Sequence, residues 1–411
     1  MMLKKLVLDF ETTYDKEHSL THMTTLQYIR DPRFDVLGCS IIYDGGEPLW
    51  LDGHDLKDYP IDWANTEFIA HNAQFDGAVL NAFFGLKPAR YMCTVALVRS
   101  LLQTRDNRLK IIAPLLGLGE KGDGLTEGAQ VSDQKLIDYA LQDAVLCEGI
   151  YDKLIGFLPE SERELIHITT RWHAEPVLIL NEDMLIKAKQ EAVAKRNALI
   201  HATGLEEGIL TSNQQFSRHL EGLGIKIPTK KSPTSGLDTY ALAKGDAAFH
   251  AMVAAHPEYK NLWEGRLAAK SNIEIARPQS FLNTGSPFPM PLNYYGAHTG
   301  RWSGSDKLNV QNMPKHSALR ESLTAPEGMN IIVADSSQIE LRINAWFSGQ
   351  QDILDTLYAD GDVYVMEAAR QFKIPVEAVT PDQRQFGKVC QLGLGYVWAG
   401  GNSSSPVVLG P

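Results

Sequence analysis

The sequence predicts an α/β layer over residues 1–155 followed by a mainly helical remainder. Three observations carry that expectation. Short apolar strand patterns crowd the front of the chain, and helical patterns lie between and after them, the alternation that builds a mixed sheet with helices on its faces. The chain has 411 residues, and at about 100–200 residues per domain that makes several domains rather than one. Residues 3–10 read as a buried strand, and their apolar run Leu6-Val7-Leu8 is too short for a signal peptide. A second strand pattern spans 36–43, an Asp-Gly-Gly turn follows at 44–46, and further strands fall at 48–51 and 67–70. Helical patterns occupy 75–84, 94–103 and 132–155.

Beyond this layer, 160–202 is helical in composition, interrupted at 176–180. Gly and Pro punctuate 204–238, which carries a basic spot at Lys230-Lys231, and 239–276 is helical again. Residues 278–316, rich in Pro, Gly, Asn and Ser, read as loop and turn. A strand is expected at 331–334 and a helix at 338–348. Thr380-Pro381-Asp382-Gln383 signals a last helix, with Thr as cap, Pro in the first turn and Gln three residues after the cap. Residues 400–411 read as a tail.

Composition narrows the class. Hydrophobic residues make up 44% and charged residues 22%, which excludes disordered, collagenous and coiled-coil chains. No stretch approaches the ~20 apolar residues of a membrane helix. Four scattered cysteines, with no CxxC spacing, read as reduced thiols rather than a disulfide frame or zinc site. The formal net charge of −11 argues against nonspecific DNA coating. Residues 1–150 hold 14 Lys and Arg against 22 Asp and Glu, so the acid excess sits at the front.

Part of that excess is patterned. Asp9-Phe10-Glu11 ends the first strand, and alternation puts Asp9 and Glu11 on one face. Two carboxylates so placed repel unless a cation lies between them, although a lone DxE is more often a solvated strand end. Asp76 follows in His71-Asn72-Ala73-Gln74-Phe75-Asp76, where a helix begins, and Tyr139 and Asp143 share a helix face one turn apart. The order D-x-E, N-x-x-F-D, Y-x-x-x-D resembles the tyrosine-using DEDD 3′–5′ exonucleases. The resemblance implies a ribonuclease H-like fold. It also implies two Mg²⁺ (or Mn²⁺) ions held by Asp9, Glu11, Asp76 and Asp143, with Tyr139 orienting the attacking water; carboxylate oxygens are the ligands such hard cations prefer. Arg99, Arg105, Arg108 and Lys110 would contact phosphates, though such a run is commonly a solvated helix face.

A second constellation lies at the back. Thr299-Gly300-Arg301, Leu308-Asn309-Val310-Gln311-Asn312-Met313-Pro314, Asp335-Ser336-Ser337-Gln338-Ile339-Glu340-Leu341-Arg342, and Arg384 through Lys388 to Leu392 and Tyr396 are similar to the motifs of family A DNA polymerases. The resemblance covers about residues 1–396. By it, Asp335 and the Ser336 carbonyl would hold metal, and Glu340 would lie near the sugar. Arg384, Lys388 and Tyr396 would meet the incoming nucleotide, while Arg301, Gln311 and Asn312 would contact DNA in the minor groove, whose acceptors vary little with sequence. Arg384 and Lys388, one turn apart, repel by roughly a few tenths of a kcal/mol until an anion joins them. Without the motif, each of these residues reads as an ordinary cap, loop or surface group.

Ser336, Leu392 and Val397 depart from the family's usual aromatic, Phe and Gly, and no later His-Asp-Glu motif follows. The expected domains are a 3′–5′ exonuclease domain at 1–155, a palm entry and helical thumb-like region at 156–285, partial palm and fingers of a right-hand polymerase at 286–397, and an atypical tail at 398–411. The expected partners are DNA (a primer-template and a single-stranded 3′ end), dNTPs if the site is completed, and a second polypeptide carrying the missing motif. The expected location is the cytoplasm, a bacterial host's if the source is a phage. Polymerisation by this chain alone is expected to be absent, with the exonuclease complete. The alternatives are a dedicated exonuclease with a vestigial polymerase body and a DNA-binding subunit of a split polymerase.

Overall fold

The computed structural model describes residues 3–104, 106–122, 134–232 and 235–395. The chain divides into two compact units, Met1–Thr211 with Asn261–Asn330, and Ser212–Lys260 with Ile331–Pro411. In the first unit, β1 (Lys4–Thr12), β2 (Val36–Tyr43), β3 (Leu49–Asp52), β4 (Thr66–Ala70) and β5 (Arg90–Cys93) form one sheet in the order β3-β2-β1-β4-β5. β1 pairs antiparallel with β2 and parallel with β4, so the sheet is mixed. β1 is its central strand. Leu6, Val7 and Leu8 are fully buried, which explains a continuous apolar run instead of alternation.

Around the sheet lie α1 (Thr25–Arg30), α2 (Ala73–Ala82), α3 (Thr94–Leu102), α4 (Leu109–Leu115), α5 (Gln134–Leu154) and α6 (Glu160–Ala174). α5 packs over β1, β2 and β4, and α2 packs against α6 and β5. The second approach is close enough to need Gly77, where a Cβ would fall 2.9 Å from the Ala174 Cβ and 3.1 Å from the Tyr91 ring. The expected strands and helices recur with ends shifted by a few residues. β5, α1 and α4 are additions. Each is short, and α1 depends on a local cap, Thr24 Oγ1 accepting from Gln27 N at 3.3 Å.

α7 (Glu182–His201) and α8 (Glu207–Thr211) continue the first unit, α9 (Asn213–Gly222) and α10 (Ala247–Ala255) belong to the second, and α11 (Lys260–Lys270), α12 (Ile273–Thr284) and α13 (Ala318–Glu321) return mainly to the first. α12 corrects the loop expected from 278. Pro278 lies inside the helix, which packs along α7 with Phe281 buried. That packing outweighs the backbone hydrogen bond a proline forfeits.

The second unit also holds α14 (Ile339–Ser348), α15 (Gln351–Tyr358), α16 (Val363–Phe372) and α17 (Pro381–Gly395). Leu341, Ala345, Ile353, Leu357, Val363 and Tyr364 form its core around α14–α16. α17 opens with a reciprocal capping box: Gln383 N donates to Thr380 Oγ1 at 3.3 Å and Thr380 N to Gln383 Oε1 at 2.9 Å. The strand expected at 331–334 does not form. That segment has no ladder partner among the described residues, and Ile332 is 91% and Val333 73% exposed. A strand unpaired on both sides has no hydrogen bonds to hold it. Among the described residues no helix is long and apolar enough to cross a membrane.

Candidate functional site

The acidic site is assembled from three elements of the first unit. β1 supplies Asp9 and Glu11 from one face, opposite Ser40 and Gly38 of β2. α2 supplies Asp76 from its first turn. Its cap, Asn72, has φ +85°, a left-handed conformation that Asn tolerates better than most side chains. Asp76 is only 2% exposed, and its Oδ1 accepts the Phe10 backbone N–H at 3.2 Å. α5 supplies Tyr139 and Asp143, one turn apart. Asp143 is 6% exposed, and its Oδ1 has no hydrogen-bond partner.

These five side chains line a single cavity of about 350 Å³ together with Lys121. The Lys121 ammonium stands 2.5 Å from Asp143 Oδ2 and 4.6 Å from the centre of the Tyr139 ring. Nothing in its Gly-rich sequence surroundings marks Lys121; only the fold brings it here.

Crowding and burial set the electrostatics. Burial, then the charge of Asp143, pushes the Asp9 carboxyl up to about 7, and Lys121 partly opposes this. Burial with Asp9 and Asp143 pushes Glu11 up to about 8. Burial and Asp9 hold Asp76 well above the carboxylate range, against the Phe10 N–H, and burial raises Asp143 against its Lys121 ion pair. Such a group resists full ionisation without added positive charge. The donor set is all hard oxygen, and Asp143 offers one oxygen without a partner, so the residues fit a hard divalent cation chemically. Among the described residues, however, no group of three or more His, Cys, Asp and Glu side chains is drawn tightly enough to enclose an ion.

An adjoining cavity of about 480 Å³ shares Asp9, His71, Asn72, Lys121 and Asp143, and adds Arg99, Asn107, Arg108 and Lys110. Acidic floor and basic wall are therefore continuous. Arg99 is tied to Asn293 Oδ1 at 3.0 Å, and Arg108 is paired with Asp106. Arg105 lies outside the described residues. His71 is fixed between Thr94 Oγ1 and the Asn107 carbonyl, and burial pushes it down to about 4, so it stays neutral.

The other predicted residues fall in both units. In the first unit, Arg301, Gln311 and Asn312 are exposed, with Gln311 Nε2 donating to the Trp302 carbonyl at 3.1 Å. In the second, Asp335 and Ser336 lie exposed on the segment before α14. Glu340, in the first turn of α14, lines a cavity of about 350 Å³ with Phe347 and Leu392. Arg384 bonds Asp362 Oδ2 at 2.6 Å and lies over the Tyr364 ring at 5.4 Å, while Lys388 sits half-buried on α17. Tyr396 lies outside the described residues, as do Val397 and the tail.

The sequence model of DNA polymerase family A matches residues 181–401. The chain is 32% identical to a DNA polymerase of Bacillus phage SP02, over 96% of this chain and 69% of that protein. It is 42% identical to DNA polymerase I of Pseudomonas aeruginosa over 24% of this chain, a match spanning 11% of that protein. The fold is similar, at a TM-score of 0.66 and 19% identity, to the POL domain of Pol1 from M. smegmatis, solved in complex with DNA primer-template and dNTP, covering 96% of this chain and 68% of that one. A family match over more than half the chain, and a phage polymerase aligned along nearly all of it, identify the protein as a member of DNA polymerase family A.

Proposed function

We propose that this chain carries the 3′–5′ proofreading exonuclease of a family A DNA polymerase, in residues 1–155, ahead of a thumb-like region at 156–285 and partial palm and fingers at 286–397. One observation carries the reading: Asp9, Glu11, Asp76, Tyr139 and Asp143, from three separate elements, line one cavity whose buried Asp143 keeps an oxygen without a partner. Asp9, Glu11, Asp76 and Asp143 would hold the cations. Paired Mg²⁺ or Mn²⁺ ions would supply a hydroxide nucleophile and neutralise the leaving oxygen. Tyr139, one turn before Asp143, orients the attacking water through its hydroxyl. Arg99, Arg108 and Lys110 border the approach and attract the phosphates of a single-stranded 3′ end.

The polymerase half would work through Asp335, the Ser336 carbonyl, Glu340, Arg384, Lys388 and Tyr396 at the nucleotide, and Arg301, Gln311 and Asn312 at primer-template DNA. Paired-ion nucleotidyl transfer takes more than one palm carboxylate, so Asp335 would work beside a second one. The chain would act in the cytoplasm, a bacterial host's if it comes from a phage. A dedicated exonuclease is the second reading, favoured by Asp335 lying exposed while the front acids line a cavity. The test is 3′-end trimming of a labelled oligonucleotide with and without Mg²⁺, beside primer extension with dNTPs. Trimming that depends on Mg²⁺ is expected. Failure to trim would overturn the nuclease, and templated extension by the purified chain would overturn the second reading.

A further inference from the structure

We propose that Lys121 is a positioning residue of the acidic site: a resident counter-ion that gives up Asp143 to an arriving divalent cation and then serves the phosphates of the bound strand. The inference rests on the nuclease reading above. Its basis is geometric. The Lys121 ammonium is 2.5 Å from Asp143 Oδ2 and 4.6 Å from the Tyr139 ring centre, so one cation holds both α5 residues of the site. A divalent ion bound by Asp143 would compete for that carboxylate, and two positive charges at such a separation repel strongly.

Lys121 also lines both cavities, the acidic one and the basic one with Arg99, Arg108 and Lys110. Released from Asp143, the ammonium already borders the space where phosphates would lie. Lysine suits an exchange of partners. It is a compact point charge on a flexible stem, whereas the guanidinium fork of arginine favours one fixed bidentate mate. Each partner is then satisfied in turn: Asp143 by Lys121 before the cation binds, and Lys121 by a phosphate afterwards.

The test titrates Mn²⁺ alone, by calorimetry or by the loss of its free paramagnetic signal, into wild type, K121M, K121R and the D9N/E11Q pair. Removing the competing charge in K121M is expected to tighten Mn²⁺ binding about tenfold. In Ca²⁺, K121M is expected to weaken binding of a short single-stranded oligothymidylate several-fold. K121R keeps the charge and is expected to stay near wild type in Mn²⁺ affinity. Unchanged or weaker Mn²⁺ binding by folded K121M, or tightening by K121R equal to that of K121M, overturns the proposal while leaving the nuclease standing. Should K121M not fold, K121Q takes its place with the same expectations. If wild type takes up no Mn²⁺, indistinguishably from D9N/E11Q, the nuclease reading falls and this inference falls with it.

Discussion

The backbone N–H of Phe10 donates to Asp76 Oδ1 at 3.2 Å, joining the acid of α2 to the residue between Asp9 and Glu11. One hydrogen bond thus sets the spacing of carboxylates contributed by β1 and α2. Phe10 itself is buried in the sheet core, so its N–H keeps a fixed direction. The acids are held by the framework rather than by each other.

Substituting D9N and E11Q together is expected to lower Mg²⁺-dependent 3′-end trimming by at least about a thousandfold. The fold should persist, because the change removes like-charge repulsion from a buried group. Trimming rates with a labelled oligonucleotide, beside far-UV circular dichroism, check both halves.

The protein without metal is expected to lose stability as pH rises. The folded site binds protons more tightly than the unfolded chain, where Asp and Glu titrate near 4. The contribution these carboxyls make below about pH 4 is therefore lost as pH climbs through about 7 for Asp9 and about 8 for Glu11. Mg²⁺ added at about pH 8 should raise the melting temperature by about a few degrees, and less at about pH 6, where protons compete for the same oxygens. Thermal melts in EDTA and in Mg²⁺ across this range measure it.

Gly387→Ala is expected to destabilise the second unit by about 1–3 kcal/mol. A Cβ there would meet the Tyr364 carbonyl oxygen at 2.2 Å and the Ala368 nitrogen at 3.0 Å, both backbone atoms of α16 that cannot swing aside. Urea denaturation followed by circular dichroism reads the loss.

Asp362 has two tasks. Its Oδ1 caps α16 by accepting from Tyr364 N at 2.9 Å and Val365 N at 3.2 Å, and its Oδ2 holds Arg384. Asp362→Ala should cost about 1–2 kcal/mol through the lost cap. Arg384→Ala removes only a partly exposed ion pair and should change stability by less than about 1 kcal/mol. If Arg384 grips a triphosphate, the same variant should weaken dNTP binding about tenfold or more, measured by equilibrium titration.

The sequence by itself determined the local elements and the chemical inventory. The buried run before Asp9, the i, i+4 pair Tyr139 and Asp143 and the capping box at Thr380 all depend on neighbours in the chain, so periodicity and caps reveal them. The carboxylates of the site were legible because their residue types and order are distinctive. Tertiary structure alone decided the rest. It put Lys121 on Asp143, turned the Phe10 N–H to Asp76, and tied Arg99 to Asn293, pairs far apart in sequence that no local pattern records. It also extended α12 through Pro278, because packing on α7 outweighs one lost backbone bond, and left 331–334 without a ladder, because a strand exists only where another strand lies beside it.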